Sequence, residues 1–171
     1  ADYRWNTPRG TFHGKLAFTH QPTLVQQVLP TDERVNRPGH VGTPLTWRGN
    51  AGLTWEHANW TAAWNMQYFH EHYVYYYGLT EDQRASAILN QGSDTIPRQI
   101  YHDLIAQYRF DESFLWARGL LANSQLSVGI SNIFDTSPPV LASVNYHTAG
   151  YSRFGDPRLR RYSITLNKNF E

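Results

Sequence analysis

The chain has 171 residues, six Trp, eleven Tyr, no Cys and a formal net charge of +1. This length suits one domain, the absence of cysteine excludes a disulfide framework and a Cys-based zinc site, and the near-neutral charge supplies no bulk attraction to nucleic acid. A mean hydropathy of -0.57 argues against a helical membrane protein, which needs apolar runs of about 18 residues. Membrane strands escape that test, because only every second residue meets lipid. An aromatic content of 15% suits a protein with two membrane–water interfaces, where amphipathic rings prefer to sit. No signal-peptide pattern opens the chain, as expected of a mature chain or a fragment.

In chain order, Asp2 to Asn6 reads as a short strand and Thr7-Pro8-Arg9-Gly10 as a tight turn. A second strand is expected from Thr11 to about Leu29, with Phe12, Leu16 and Phe18 on one face and His13, Lys15 and Thr19 on the other. Pairing through the turn sets Trp5 opposite Phe12 and Arg4 opposite His13, so the faces agree. Residues 30–43 carry Pro30, Asp32, Asn36, Pro38, Gly39 and Gly42 and read as a loop. The strand from Leu45 to Glu56 alternates most clearly. Leu45, Trp47, Gly49, Ala51, Leu53 and Trp55 share one face; Thr46, Arg48, Asn50, Gly52, Thr54 and Glu56 share the other. At a tilt near 40°, Trp47 and Trp55 differ in height by about 20 Å, close to the ~25 Å apolar band of an outer-membrane barrel.

His57-Ala58-Asn59 predicts a tight turn, followed by a strand of up to eighteen residues from Trp60 to Tyr77. Its outward face would hold Trp60, Ala62, Trp64, Met66 and Tyr68, with Trp60 paired with Trp55; Asn65, Gln67, Glu71, Tyr73 and Tyr75 would face inward. Soluble strands usually run about 3–10 residues, so one this long would project beyond a sandwich or a membrane. Residues 79–97 read as loop, with Glu81 to Leu89 compatible with a short helix. Gln99 to Phe110 is the next strand, with Leu104, Ala106, Tyr108 and Phe110 outward, and 111–122 a longer turn.

From Gln125 the chain alternates again: Leu126, Val128 and Ile130 against Ser127, Gly129 and Ser131. It then runs through Asn132-Ile133-Phe134-Asp135 to Pro138 and Pro139. The last strand begins at Arg161-Tyr162 and ends at Phe170, with Tyr162, Ile164, Leu166 and Phe170 on one face. This segment resembles the C-terminus of TonB-dependent outer-membrane receptors. In that family the penultimate strand runs into an Asn-aliphatic-Phe-Asp stretch with prolines after it, and the last strand opens with Arg plus an aromatic and closes on Phe. The matching structural residues are Asn132, Phe134, Asp135, Arg161 and Phe170.

The connections support the same architecture. Residues 7–10, 56–59 and 111–122 connect on one side, and the longer 30–43, 79–97 and 134–157 on the other. Short turns on one side and long loops on the other mark outer-membrane barrels, with the long loops extracellular. The expected fold is therefore all-β, a transmembrane antiparallel β-barrel, and the resemblance implies that residues 1–171 contribute about seven C-terminal strands of a 22-stranded type. The family's plug has no counterpart in this sequence. The rest of the barrel and the plug, in the same or a separate chain, are expected partners, since open edges in lipid are prohibitively costly.

What the resemblance implies is outer-membrane, TonB-dependent active uptake of a scarce, large ligand in a Gram-negative bacterium: a ferric siderophore, a cobalamin-like compound or an oligosaccharide. Further implied partners are the TonB complex, acting through the plug, the barrel-assembly machinery and outer-membrane lipid. Candidate ligand-stacking aromatics are Tyr73, Tyr75, Tyr146 and Tyr151; candidate lumen or plug-facing residues are Arg4, His13, Lys15, Arg48, Glu71 and Arg109. No catalytic constellation, cofactor or metal site is expected. His70-Glu71-His72 lacks a third ligand, Glu81-Asp82 lacks a partnered base, and no phosphate-binding glycine motif occurs. Two other readings fit the alternation: a small outer-membrane barrel with a structural or adhesive role, and a soluble carbohydrate-binding sandwich.

Overall fold

The computed structural model describes residues 1–27, 30–31, 34–111, 121–142 and 150–168. The fold is all-β, with one helix among the described residues. Seven long strands form a single antiparallel sheet: β1 (Asp2–Thr7), β2 (Gly10–His20), β3 (Trp47–His57), β4 (Trp60–Phe69), β5 (Gln99–Phe110), β6 (Ser124–Ser131) and β7 (Arg161–Lys168). Each pairs with its neighbour in sequence, so the sheet is a meander with β1 and β7 at its open edges.

The register is continuous, and it segregates polarity. Trp5, Phe12, Trp55 and Ala62 are linked partner to partner, as are Leu53, Trp64, Leu104 and Ile130. Leu126, Val128 and Ile130 pair with Leu166, Ile164 and Tyr162. On the opposite face stand Asp2, Arg4, Lys15, Arg48, Glu56, Asp103, Arg109 and Arg161. The apolar face carries no Asp, Glu or Arg on any of the seven strands, and its single lysine, Lys168, ends β7. Alternation along each strand accounts for this only because no register slip occurs between strands.

Two tight turns join strands at one end. In the first, the Thr7 hydroxyl donates to Gly10 O (2.9 Å), and a Cβ at Gly10 would lie 2.4 Å from Glu56 O, so only glycine fits. In the second, Asn59 donates to Asp111 Oδ2 (2.9 Å), tying it to the end of β5. The long connections all leave the other end. Each contains a two-residue ladder: Val25–Gln26 with Val35–Asn36, His72–Tyr73 with Thr95–Ile96, and Val140–Leu141 with Gly150–Tyr151.

The second connection also holds helix α1 (Glu81–Gln91), where the short helix was expected. Thr80 and Gln83 form a reciprocal capping box, Glu81 and Asp82 complement the dipole in the first turn, and Gly92 ends the helix in the left-handed region.

Several boundaries differ from the sequence reading. β2 stops at His20, short of Leu29, because the chain turns into the first loop's own ladder. β3 begins at Trp47, and Leu45 is buried with Phe69 and Tyr101 instead of lying on the outward face. β4 ends at Phe69 after ten residues, not eighteen, because the chain leaves the sheet to pair with residues from beyond the helix. Glu71, Tyr73 and Tyr75 thus belong to the loop rather than to the inward face of a strand. Trp60 lies opposite His57, and Trp55 opposite Ala62, because the turn between β3 and β4 has only two residues. Tyr146 and Phe170 lie outside the described residues.

Among the described residues, neither face of the sheet is packed into a central core. The buried hydrophobic residues are Leu45, Phe69, Val74, Ala87, Ile96 and Tyr101, all in the long loops or the strand ends next to them. Val74, Ala87 and Ile96 form one cluster, with Tyr75, Ile88 and Leu141 against it. Truncating fully buried Ile96 to Ala is expected to cost about 2–5 kcal/mol. Because that cluster is separate from the sheet, amide hydrogen exchange should rise across residues 70–98 while β3 to β6 keep their protection.

Candidate functional site

Two surfaces carry the polar chemistry: the polar face of the sheet and the loop layer at its long-loop end. The three loops are fastened to one another. Tyr73 N–H donates to Gly39 O (2.7 Å) and Val41 N–H to Tyr75 O (3.0 Å), joining the first loop to the second. The Gln91 side chain donates to Val140 O (3.0 Å) and accepts from Ala142 N–H (2.7 Å), joining the second to the third. Arg153 donates to Thr43 O (3.0 Å), closing the circuit between third and first.

The layer is also seated on the sheet. Tyr101 O–H donates to Gln99 Oε1 (2.9 Å), whose amide donates to Ser152 Oγ (2.9 Å), all buried. Phe154 stacks on Phe69, and its ring meets His72 edge-on. A Cβ at Gly155 would strike the Tyr101 hydroxyl at 2.3 Å, so glycine permits this close seating.

The Asn132-Ile133-Phe134-Asp135 stretch ends β6. Asn132 adopts φ 54° and Asp135 φ 56°, a left-handed conformation that short polar side chains tolerate best. Asn132 N–H donates to Asp103 Oδ1 (2.8 Å), and its side-chain amide both donates to Thr136 O and accepts from Thr136 N–H (2.9 Å each). Asp135 accepts from Arg160 N–H (2.8 Å), which directs the chain into β7. Phe134 remains exposed, edge-on to His102 at 5.0 Å. Asp156 accepts from Arg158 and from Arg161 (2.9 Å), and these pairs hold its carboxyl down to about 2. Beneath the third loop lies a cavity of about 210 Å³, bordered by Gln67, Tyr101, Asp103, Asn132, Asp156 and Arg161.

The candidate aromatics separate. Tyr73 and Tyr75 stack at 5.1 Å, and His40 packs against both, at 4.8 and 5.7 Å. Burial pushes the Tyr75 hydroxyl above its ordinary value, and neighbouring Tyr73 adds to this. Tyr151 is exposed on the ladder with Val140, with no ring contact to that pair among the described residues.

Of the candidate lumen residues, Arg4 is 3.6 Å from Glu56 and His13 is 2.5 Å from Asp2. Arg48 lies over the Phe69 ring at 5.2 Å. Lys15 and Arg109 stand on the same polar face, whereas Glu71 is exposed in the second loop, outside the sheet. His70 and His72 do not converge: His70 bonds the Tyr68 hydroxyl (2.7 Å), and His72 is buried against Phe154. No group of three metal-ligating side chains occurs among the described residues.

Sequence reasoning missed Gln99, Ser152, Phe154 and Arg153 as the groups that seat the loops. Only Gly155 and the buried-type aromatics around it carried a signal. Comparison with protein families, with curated proteins and with solved structures finds no match to this chain.

His72 is a built-in acid sensitivity. Its Nδ1 is buried without a partner, and burial pushes the imidazole below its ordinary value of 6.5, reinforced by the Arg153 charge and opposed by the His70 backbone. A depressed histidine contributes stability that is complete above the unfolded value and is lost as pH falls below it. Protection from hydrogen exchange at residues 70–75 and 150–155, relative to the intrinsic rate at each pH, is expected to fall as pH drops below 6.5, and His72→Phe should flatten that dependence. Asp156 acts lower on the scale. Its contribution is complete above 3.8 and lost as pH falls through about 2, so Asp156→Asn should remove pH dependence of proteolysis at 156–160 in that window.

Proposed function

We propose that this chain forms part of the wall and extracellular loops of an outer-membrane β-barrel of the TonB-dependent receptor kind. The observation that carries the reading is the uncovered apolar face spanning seven strands, from which every Asp, Glu and Arg of those strands is excluded. Leu16, Phe18, Leu53, Trp60, Leu104, Val128, Ile164 and Leu166 are all exposed on it. Soluble monomers rarely leave apolar patches beyond a few hundred Å² uncovered. Hydrocarbon is a solvent that such a face fits, and the alternation matches a wall with lipid on one side and water or protein on the other.

The aromatic placement agrees. Trp5, Phe12, Trp55, Trp60 and Tyr108 gather toward the short-turn end, with the Trp55 indole N–H donating to Arg9 O (2.8 Å). His20, Trp47 and Tyr68 lie toward the long-loop end. Between them lie Gly14, Leu16, Ala51, Leu53, Met66 and Leu104, together with Trp64. Two girdles around an apolar band are what two interfaces require. The edges of β1 and β7 would be paired by further strands, since unpaired backbone groups cost several kcal/mol each in lipid.

The receptor reading within that class rests on the Asn132–Asp135 stretch and the Arg161 strand opening. In it, the loop layer faces outward and receives a scarce, large ligand: a ferric siderophore, a cobalamin-like compound or an oligosaccharide. Tyr73, Tyr75 and Tyr151 would offer stacking surfaces. Energy would come from the TonB complex acting on a plug, and no bond in the ligand would be made or broken.

Membrane fractionation with alkaline extraction tests the location: the protein should stay with the outer membrane, and release as a soluble protein would overturn the proposal. Uptake that collapses when proton-motive force is dissipated would separate the receptor from a structural or adhesive barrel. At the level of residues, Leu53→Arg or Ile164→Arg should cost roughly 2–4 kcal/mol near the midplane in reversible unfolding from lipid vesicles. Thr165→Arg, on the polar face, should cost much less; equal costs would sink the lipid-facing assignment.

A further inference from the structure

We propose that the cavity between the first and second loops binds a carboxylate carried on a flat apolar ring, with Arg37 as the group that holds the acid. The site belongs to the loop layer alone and does not depend on whether the sheet lines a barrel.

The cavity holds about 280 Å³ and is bordered by Leu24, Arg37, Val41, Pro44, Tyr76 and Tyr77. The first loop supplies one wall and the two tyrosines the other. Val41 N–H donates to Tyr75 O (3.0 Å), which joins the loops beside Tyr76. Gly42 turns at φ 82°, and a Cβ there would meet the Tyr76 ring at 3.5 Å. The Thr43 hydroxyl, also at this wall, is spent on the Arg37 and His40 carbonyls (2.7 and 2.8 Å). Arg37 is the one charged side chain among the bordering residues.

Arg37 is incompletely partnered. Its guanidinium lies over the Tyr77 ring at 3.9 Å, which orients its plane. Its Nε is buried without a hydrogen-bond acceptor, and no carboxylate among the described residues lies within ion-pair distance. A second guanidinium, Arg153, donates to Thr43 O at the same wall (3.0 Å), and it too lacks a carboxylate among the described residues. Buried donors are nearly always satisfied, so an orphaned Nε beside a cavity marks a missing acceptor. A hydroxyl would answer the donor and leave the charge. A carboxylate answers both, taking two parallel N–H bonds from the planar fork. The walls select what carries the acid. Leu24, Val41, Pro44 and the ring faces offer no donors, so they suit an apolar body, and the rings favour a flat one that stacks. A sugar, with hydroxyls on every side, would leave them unpaired there. The volume lies at the lower end of ligand pockets and fits a single ring with its acid.

Saturation-transfer NMR on the full chain tests this, with benzoate as the probe, benzyl alcohol as its neutral counterpart and acetate as an acid without a ring. Benzoate should bind with a Kd on the order of 1 mM, and each control about tenfold more weakly or worse, for want of the charge or of the ring. Arg37→Gln should weaken benzoate binding about tenfold or more, and Arg37→Lys, which keeps the charge without the fork, should fall between. Tyr77→Leu keeps the charge and removes the ring, so it should weaken benzoate more than acetate. Hydrogen-exchange protection of the Val41 and Tyr73 amides reports whether the loops stay joined in each variant. Benzyl alcohol binding as tightly as benzoate, no benzoate binding at about 10 mM, or full binding by Arg37→Gln with its loops joined would each overturn the inference. Where Arg37→Gln parts the loops, Tyr77→Leu decides, and unchanged benzoate binding there sinks it. Benzoate binding in a protein that alkali releases from the membrane would keep the site and discard the barrel. A membrane-held protein blind to benzoate would do the reverse.

Discussion

Antiparallel backbone pairing in a single unbroken register is the constraint on which the rest of the molecule depends. Each strand alternates apolar and polar residues, but alternation gives a one-sided sheet only if neighbouring strands keep phase. Here the two-residue turns after Thr7 and His57 set the phase within two strand pairs, β1 with β2 and β3 with β4, and Asn59 with Asp111 fastens β5. A slip of one residue at β3 would carry Arg48 and Glu56 to the apolar side and Leu53 and Trp55 to the polar side. That slip would break the segregation of charge from the apolar face that the observed register maintains.

That same geometry explains where the buried residues are. A meander sheet with no second layer has nothing to pack against along its length. The buried clusters form instead where long loops fold back over strand ends, around Phe69 and Tyr101 on one side and Val74, Ala87 and Ile96 on the other. The loops are held as a unit by backbone hydrogen bonds, by Gln91 and by Arg153. Stability is thus divided: the sheet depends on its ladder and on whatever covers its faces, while the loop layer has a core of its own. In the proposed receptor this division would let the loop layer be ordered independently of the apolar face.

The two faces make opposite demands on their surroundings. Under the proposed function the apolar face meets hydrocarbon, and the polar face meets water or protein that answers its amides, hydroxyls and charges. In the proposed barrel, the open edges of β1 and β7 would be paired by further strands. A wall segment of a wide, filled barrel meets all of these demands together, and this coherence is the physical content of the proposed function.

The sequence by itself determined the elements whose signal is local. The first hairpin register, the alternation of β3, β5, β6 and β7, helix α1 and the segregation of short turns from long loops were all legible, because side-chain period and turn chemistry act over a few residues. The role of Asn132 and Asp135 was legible only as a pattern; their left-handed backbone supplies the reason. What tertiary structure alone decided was where strands stop and what the loops do. His20, Phe69 and Leu45 mark ends that no local preference announces, because the chain leaves the sheet to pair with residues far away: Tyr73 with Thr95, Arg153 with Thr43. For the same reason Glu71 left the polar face, His70 parted from His72, and Tyr73 and Tyr75 joined His40 in the loops. Contacts between residues distant in sequence set these positions, and alternation along a strand carries no record of them.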